Sequence, residues 1–162
     1  MNFITLLNNL FEKYNFKFDL NKIDNECAIR IDEKTVINLA FDHEKQSISI
    51  YSILFPVNEN NVYEMSYLLL KENAFGKLSG SCAISYIENR HVFLLSKILP
   101  IHLQNPETFF EEFTSFVSAL QRVRNLWMNM QEQAVTLSQA NHQQMSVQPK
   151  IDLVQGKMYL KG

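Results

Sequence analysis

From Phe109 onward, large apolar side chains return at alternating steps of four and three: Phe109, Phe113, Phe116, Leu120, Val123, Trp127 and Met130, with Ala134 and Leu137 continuing the register. A helix turns once every 3.6 residues, so this spacing predicts a long helix with one apolar stripe. Asn105-Pro106-Glu107 predicts where it starts. Asn is a capping residue, Pro has its φ pre-set for the first helical position, and the acid sits against the positive end of the helix dipole. Phe110 and Val117 broaden the stripe, which makes docking on a sheet the simpler reading and a coiled-coil seam the alternative. Either way, the stripe demands a wide apolar partner surface.

The rest of the chain supplies one. Phe3, Leu6, Leu7, Leu10, Phe11 and Tyr14 share one helical face, with Asn8, Asn9, Glu12 and Lys13 opposite; Phe16 and Phe18 follow on a short connector. Three period-2 segments come next: Cys27/Ile29/Ile31, then Ile37/Leu39/Phe41, then Ile48/Ile50/Leu54. The polar turns Asp32-Glu33-Lys34 and Asp42-His43-Glu44-Lys45 join them as an antiparallel meander. After Pro56 a second helix is predicted. Asn61 serves as its cap and Glu64 completes a capping box, and the helix runs past Asn73 and Phe75 to stop near Gly76. Leu68, Leu69 and Leu70 in succession give it a wide apolar surface, able to face a core on one side and a second subunit on the other. Cys82/Ile84/Tyr86 and Val92 to Leu99 read as two further strands, the last apolar enough for a central or interface position. The expectation is an α+β fold: helix, three strands, helix, two strands and long helix, with the helices packed on a twisted antiparallel sheet. Residues 1–137 form the domain, and 138–162 a Gln-rich, flexible tail in which Ile151 to Leu160 has weak strand character.

Composition excludes several function classes. A formal charge of −2, with basic residues never adjacent, gives no electrostatic footprint for nucleic acid. No run approaches the ~20 apolar residues of a membrane helix. The opening Met1-Asn2-Phe3-Ile4-Thr5 lacks the basic start of a signal peptide, so a cytoplasmic location is expected. Cys27 and Cys82 sit in alternating apolar segments and read as buried free thiols, too few for a zinc site. Twelve Phe residues either fill a Phe-rich core or also line a surface groove.

Catalytic arrangements are absent from the pattern. His43, His91, His102 and His142 are not paired at helical spacing. Gly76-Lys77-Leu78-Ser79-Gly80 leaves a helix and enters a strand, the reverse of the setting a phosphate loop requires. Glu111 and Glu112 are helix neighbours pointing about 100° apart, so they cannot face one substrate. Ser79, Ser81, Ser85 and Ser96 lack a nucleophile-elbow setting. The reading is a binding protein with no cofactor, no metal and no enzyme activity.

The element order resembles the class I type III secretion chaperones, the Tir chaperone (CesT-like) family. The residues carrying the likeness are Leu6-Leu7-Asn8-Asn9-Leu10-Phe11, Ala28-Ile29-Arg30-Ile31-Asp32, Val36-Ile37-Asn38-Leu39, and above all Tyr67-Leu68-Leu69-Leu70-Lys71-Glu72-Asn73-Ala74-Phe75. The likeness covers roughly residues 1–130, with Asn125-Leu126-Trp127 and Val135-Thr136-Leu137 adding to it. It implies a cytoplasmic homodimer that holds the N-terminal segment of one or more secreted effectors in extended form, stabilises them and promotes their secretion. A secretion ATPase is then a second partner. The alternative within the same fold is a regulatory protein that sequesters a regulator of the secretion genes. Phe3, Leu7, Phe11, Ile29, Ile31 and Leu39 are the candidate effector groove, although the same residues serve equally well as core. By analogy with the family, Leu68, Leu69, Ile84, Val92 and Leu94 are the candidate dimer interface.

Overall fold

The structure is a computed structural model and describes residues 2–15, 23–33 and 35–145, without side-chain surroundings at 60 and 132–145. Its elements are α1 (Phe3–Lys13), β1 (Glu26–Asp32), β2 (Thr35–Asp42), β3 (Ser47–Pro56), α2 (Val62–Glu72), β4 (Ala83–Ile87), β5 (Val92–Pro100) and α3 (Pro106–Met145). The expected α+β order is the observed one. The five strands form one sheet in the order β1-β2-β3-β5-β4, antiparallel at every neighbour. Because α2 carries the chain from β3 past β5 to β4, the last two strands are inserted in reverse order.

Register sorts the side chains by face. Ile29↔Ile37, Leu39↔Ile50, Phe41↔Ile48, Ile48↔Leu99 and Ser52↔Leu95 lie directly opposite one another, so these residues share one face. That face is covered by α1 and α3. Phe3 stacks on Phe41 with ring centroids 5.7 Å apart, and Tyr14 meets Phe113 edge-on at 6.0 Å. Leu6, Leu7, Leu10, Phe109, Phe113, Phe116, Leu120 and Val123 close the core from the helix side, all buried. The stripe that began the sequence reading is therefore docked on the sheet as far as Val123.

The capping signals were realised unequally. Asn105 Oδ1 accepts the backbone N–H of Glu107 (3.0 Å) and of Thr108 (2.9 Å), fixing the start of α3. At the start of α1, Asn2 Oδ1 does the same for Thr5 N–H at 2.8 Å. Asn61 occupies the cap position of α2, but its side chain makes no capping bond. A 3-10 turn, Glu59–Asn61, leads directly into that helix and leaves Asn61 in a helical conformation, so the expected capping box does not form. The helix also ends earlier than expected, at Glu72. Asn73 Oδ1 there accepts the N–H groups of Leu78 (3.2 Å) and Ser79 (2.9 Å), and Phe75 takes a left-handed φ of 58°.

At its far end α3 continues to Met145, into the segment expected to begin the tail; residues 146–162, with the strand character of Ile151–Leu160, lie outside the described residues, as do Phe16 and Phe18. The chain divides into two compact units, Met1–Leu126 and Trp127–Gly162, and everything below concerns the first.

Core and surface are separable by substitution. Phe116→Ala should cost about 3–5 kcal/mol, because it empties a fully buried site in a packed core. Tyr63→Ala, at an open position, should stay within about 0.5 kcal/mol. Urea-denaturation midpoints of the two variants measure the contrast.

Candidate binding surfaces

The described residues contain no group of three His, Cys, Asp or Glu side chains able to hold a metal. The polar side chains that do converge act as ties between elements. Lys97, on the inner face of β5, is buried; its Nζ donates to Ser81 Oγ at 2.6 Å and pairs with Glu112 of α3. Arg124 of α3 donates to Thr35 Oγ1 and, at 2.7 Å, to the Ile53 carbonyl, while Thr35 in turn donates to Asp32. Arg122 Nε donates to the Leu78 carbonyl at 2.9 Å. Tyr86, His91 and Glu59 form a short chain across the β4–β5 turn, with 3.0 Å at each step. All are structural contacts between neighbouring segments.

The alternation predicted two buried thiols; Cys82 is buried, whereas Cys27, on edge strand β1, is half-buried. Burial pushes Cys27 up to about 11, and burial also raises Cys82, opposed by the nearby Lys97 charge. A neutral thiol is neither a nucleophile nor a metal ligand at physiological pH. Both cysteines are free.

What remains is apolar surface. Of the six groove candidates, Phe3, Leu7, Phe11, Ile29 and Leu39 are buried inside the isolated chain, whereas Ile31 is 40% exposed on edge strand β1. Among the interface candidates Leu69 is buried, and Leu68, Ile84, Val92 and Leu94 are half-buried. The most exposed apolar groups were not singled out by the sequence reading. On α2, Tyr63, Tyr67 and Leu70 are 86%, 66% and 75% exposed, and Phe75 just beyond is fully exposed. Positions 63, 67 and 70 are spaced i, i+4, i+7, so they share one helix face. Met65 and Leu69, on another face of the same helix, are buried. The signal was present as two apolar stripes on one short helix.

The outer sheet face is the second surface. There Ser49↔Ile98, Tyr51↔Ser96, Ile53↔Leu94, Ala83↔Ser96, Ser85↔Leu94 and Ile87↔Val92 are paired. Across β3, β4 and β5 the only charged residue is Lys97, and it points inward. Ile98, beyond the last β4 pair and opposite Ser49 of β3, is 67% exposed on this uncharged strip. A sheet face meant for water normally alternates polar and charged residues outward; this one lacks the charges.

These features describe a protein built to bind other polypeptides through open apolar surface. The chain belongs to the Tir chaperone protein (CesT) family, whose model matches residues 5–124. It is accordingly a chaperone of the type III secretion class, a binding protein and not an enzyme. No curated protein matches it by sequence. Among solved structures, the HopA1–SchA chaperone–effector complex is similar, with a TM-score of 0.57, 14% identity and coverage of 75% of this chain and 91% of that one. The ExoT–SpcS complex from Pseudomonas aeruginosa gives 0.52, with 15% identity and coverage of 75% and 97%. YbjN from E. coli, a proposed transcription regulator, gives 0.56 with 9% identity, covering 80% and 94%. At such identities the structures establish the shared fold. No helix among the described residues is long and apolar enough to cross a membrane.

Because Cys27 stays protonated in the folded chain, its alkylation by iodoacetamide at pH 8 should be slower than that of the urea-unfolded chain, and should accelerate only as pH approaches 11. Mass spectrometry of timed reactions checks this; equal rates in both states would contradict the half-buried, neutral thiol.

Proposed function

We propose that this protein is a cytoplasmic effector chaperone that acts as a homodimer, holds the N-terminal segment of one or more type III effectors in extended form, stabilises them and promotes their delivery to a secretion ATPase. The observation that carries the reading is the coexistence of CesT-family sequence over residues 5–124 with unpartnered apolar surface in two separate places. One place is edge strand β1, which pairs only with β2 among the described residues. An extended peptide gains affinity there by backbone pairing, with alternate side chains meeting exposed Ile31. Phe3, Leu7, Phe11, Ile29 and Leu39 then act as the packed floor that keeps β1 in place.

The other place is α2 with the outer face of β5 and β4, which we assign to the second copy. Val92 and Leu94 lie on this outer face and Leu68 on α2, all half-buried, and Leu69 is buried on α2. Ile84 opposes the buried Leu95 and so faces inward, which takes it out of the outer-face interface. Large side chains carry roughly 150–250 Å² each, so Tyr63, Tyr67, Leu70 and Phe75 together offer on the order of 600 Å². A stable interface takes about 800 Å² per partner, and the uncharged outer strip of β5 and β4 is the surface we assign to the remainder. Glu64 and Lys71, both exposed and seven residues apart, exchange charge with their copies when two α2 helices cross antiparallel.

Light scattering should report a dimer, and Leu70→Asp should shift it to a monomer that keeps the parental far-UV circular dichroism, its unfolding free energy lowered only by the lost dimer linkage. Affinity capture from the native host, followed by mass spectrometry, should recover secreted proteins bound through their N-terminal segments. A monomeric parent that captures no secreted protein would sink the reading; capture of a cytosolic regulator instead would replace it with the regulatory alternative.

A further inference from the structure

The stripe of α3 does not by itself say where the helix sits on the sheet. Phe109, Phe113, Phe116, Leu120 and Val123 occupy the inner face. Displaced by seven residues, their places would go to Phe116, Leu120, Val123, Trp127 and Met130, again apolar throughout. Displaced by four, Phe113, Val117, Leu120 and Trp127 would replace Phe109, Phe113, Phe116 and Val123, but Arg124 would enter the buried place of Leu120, so of the two slips only that of seven is apolar throughout.

We propose that the polar ties Lys97–Glu112 and Arg124–Thr35/Ile53 are a register lock, which selects one of two apolar dockings of α3 and excludes the other, seven residues away. The pairings are not portable. A slip of four residues sets Phe116 against the buried Lys97 and Met128 against Thr35; a slip of seven sets Ala119 and Gln131 there. Each leaves the Lys97 ammonium in an apolar setting with only Ser81 Oγ as partner, and an unpaired buried charge is far more costly than a misfitted apolar contact. Hydrophobic contact is non-directional, whereas a buried ion pair has one geometry. Arg124 adds a second fixed point twelve residues further on, through a donation of 2.7 Å to a backbone carbonyl that cannot move without its strand. With both ties in place, the apolar continuation at Trp127 and Met130 is kept off the positions of Leu120 and Val123.

The register is readable as a distance. In a Cys27→Ala/Cys82→Ala background, diluted with excess unlabelled chain so that each dimer carries at most one labelled copy, spin labels at Glu44→Cys, in the β2–β3 turn, and Gln121→Cys, exposed on α3, should give one distance by double electron–electron resonance. Lys97→Met with Arg124→Met should add a second population, at least ~10% of molecules, displaced by about two helical turns. Lys97→Glu alone should do the same, and adding Glu112→Lys should restore the single parental distance. A Met/Met variant that folds with only the parental distance overturns the lock. Should that variant fail to fold, the charge swap decides: one parental distance supports the lock, and a chain left unfolded or heterogeneous by the swap overturns it.

Discussion

One sheet face sealed and the other left without charge across β3, β5 and β4 is the constraint on which the rest of this structure depends. Three of the five strands carry a single charged side chain between them, Lys97, and it points into the core. The inner face consequently needs a continuous apolar cover, which α1 and the first half of α3 provide with Phe3, Leu7, Phe109, Phe113 and Phe116. On the outer face Ile53 and Ile98 stay exposed within the described chain. A fold of this design is complete as a core and incomplete as a surface, and that is the physical signature of a binding protein.

Lys97 shows how the core remains specific while being so uniformly apolar. Burying an ammonium is unfavourable unless it is paired and hydrogen-bonded. Here Glu112 and Ser81 meet it, drawing together β5, the segment before β4, and α3. Arg124 makes an equivalent bridge from α3 to β2 and β3. Burial lowers the affinity of Arg124 for its proton and the Asp32 carboxylate opposes this, as expected for a cation held between a helix and a hairpin. The apolar stripe supplies the attraction and the two cations supply the address.

How far the sequence could be read follows from what periodicity reports. It reports that a face is apolar, and says nothing of what covers it. Element order and the antiparallel meander were legible, because alternation and turn residues are local. The cap of α3 was legible for the same reason. The insertion of β5 between β3 and β4 was not, since strand order is a long-range property. Asn61 misled because a 3-10 turn upstream pre-empted its capping geometry. Phe3, Leu7 and Phe11 read equally well as groove or core, and the isolated chain buries them. Tyr63 and Tyr67 went unnoticed because the adjacent Leu68-Leu69-Leu70 run dominated the helix, although their spacing marks a separate stripe.

The positions of the two open surfaces bear on how binding events combine. The sheet order places β1 and β4 at opposite edges, with three strands between them. In the proposed arrangement a second copy occupies α2 and the β5–β4 side, while extended cargo pairs at β1. Neither partner then needs the residues the other uses, so cargo can enter and leave without dissociating the dimer. Coupling between them has to pass through the sheet and through α3, whose ties reach β5 by Lys97 and the β1–β2 hairpin by Arg124. A helix fixed at two points twelve residues apart transmits little between them, because a displacement at either tie would expose a buried charge. Such rigidity would suit the proposed work of keeping another chain extended: in that arrangement the order is held by the chaperone, and the cargo contributes only the ordering of its own backbone.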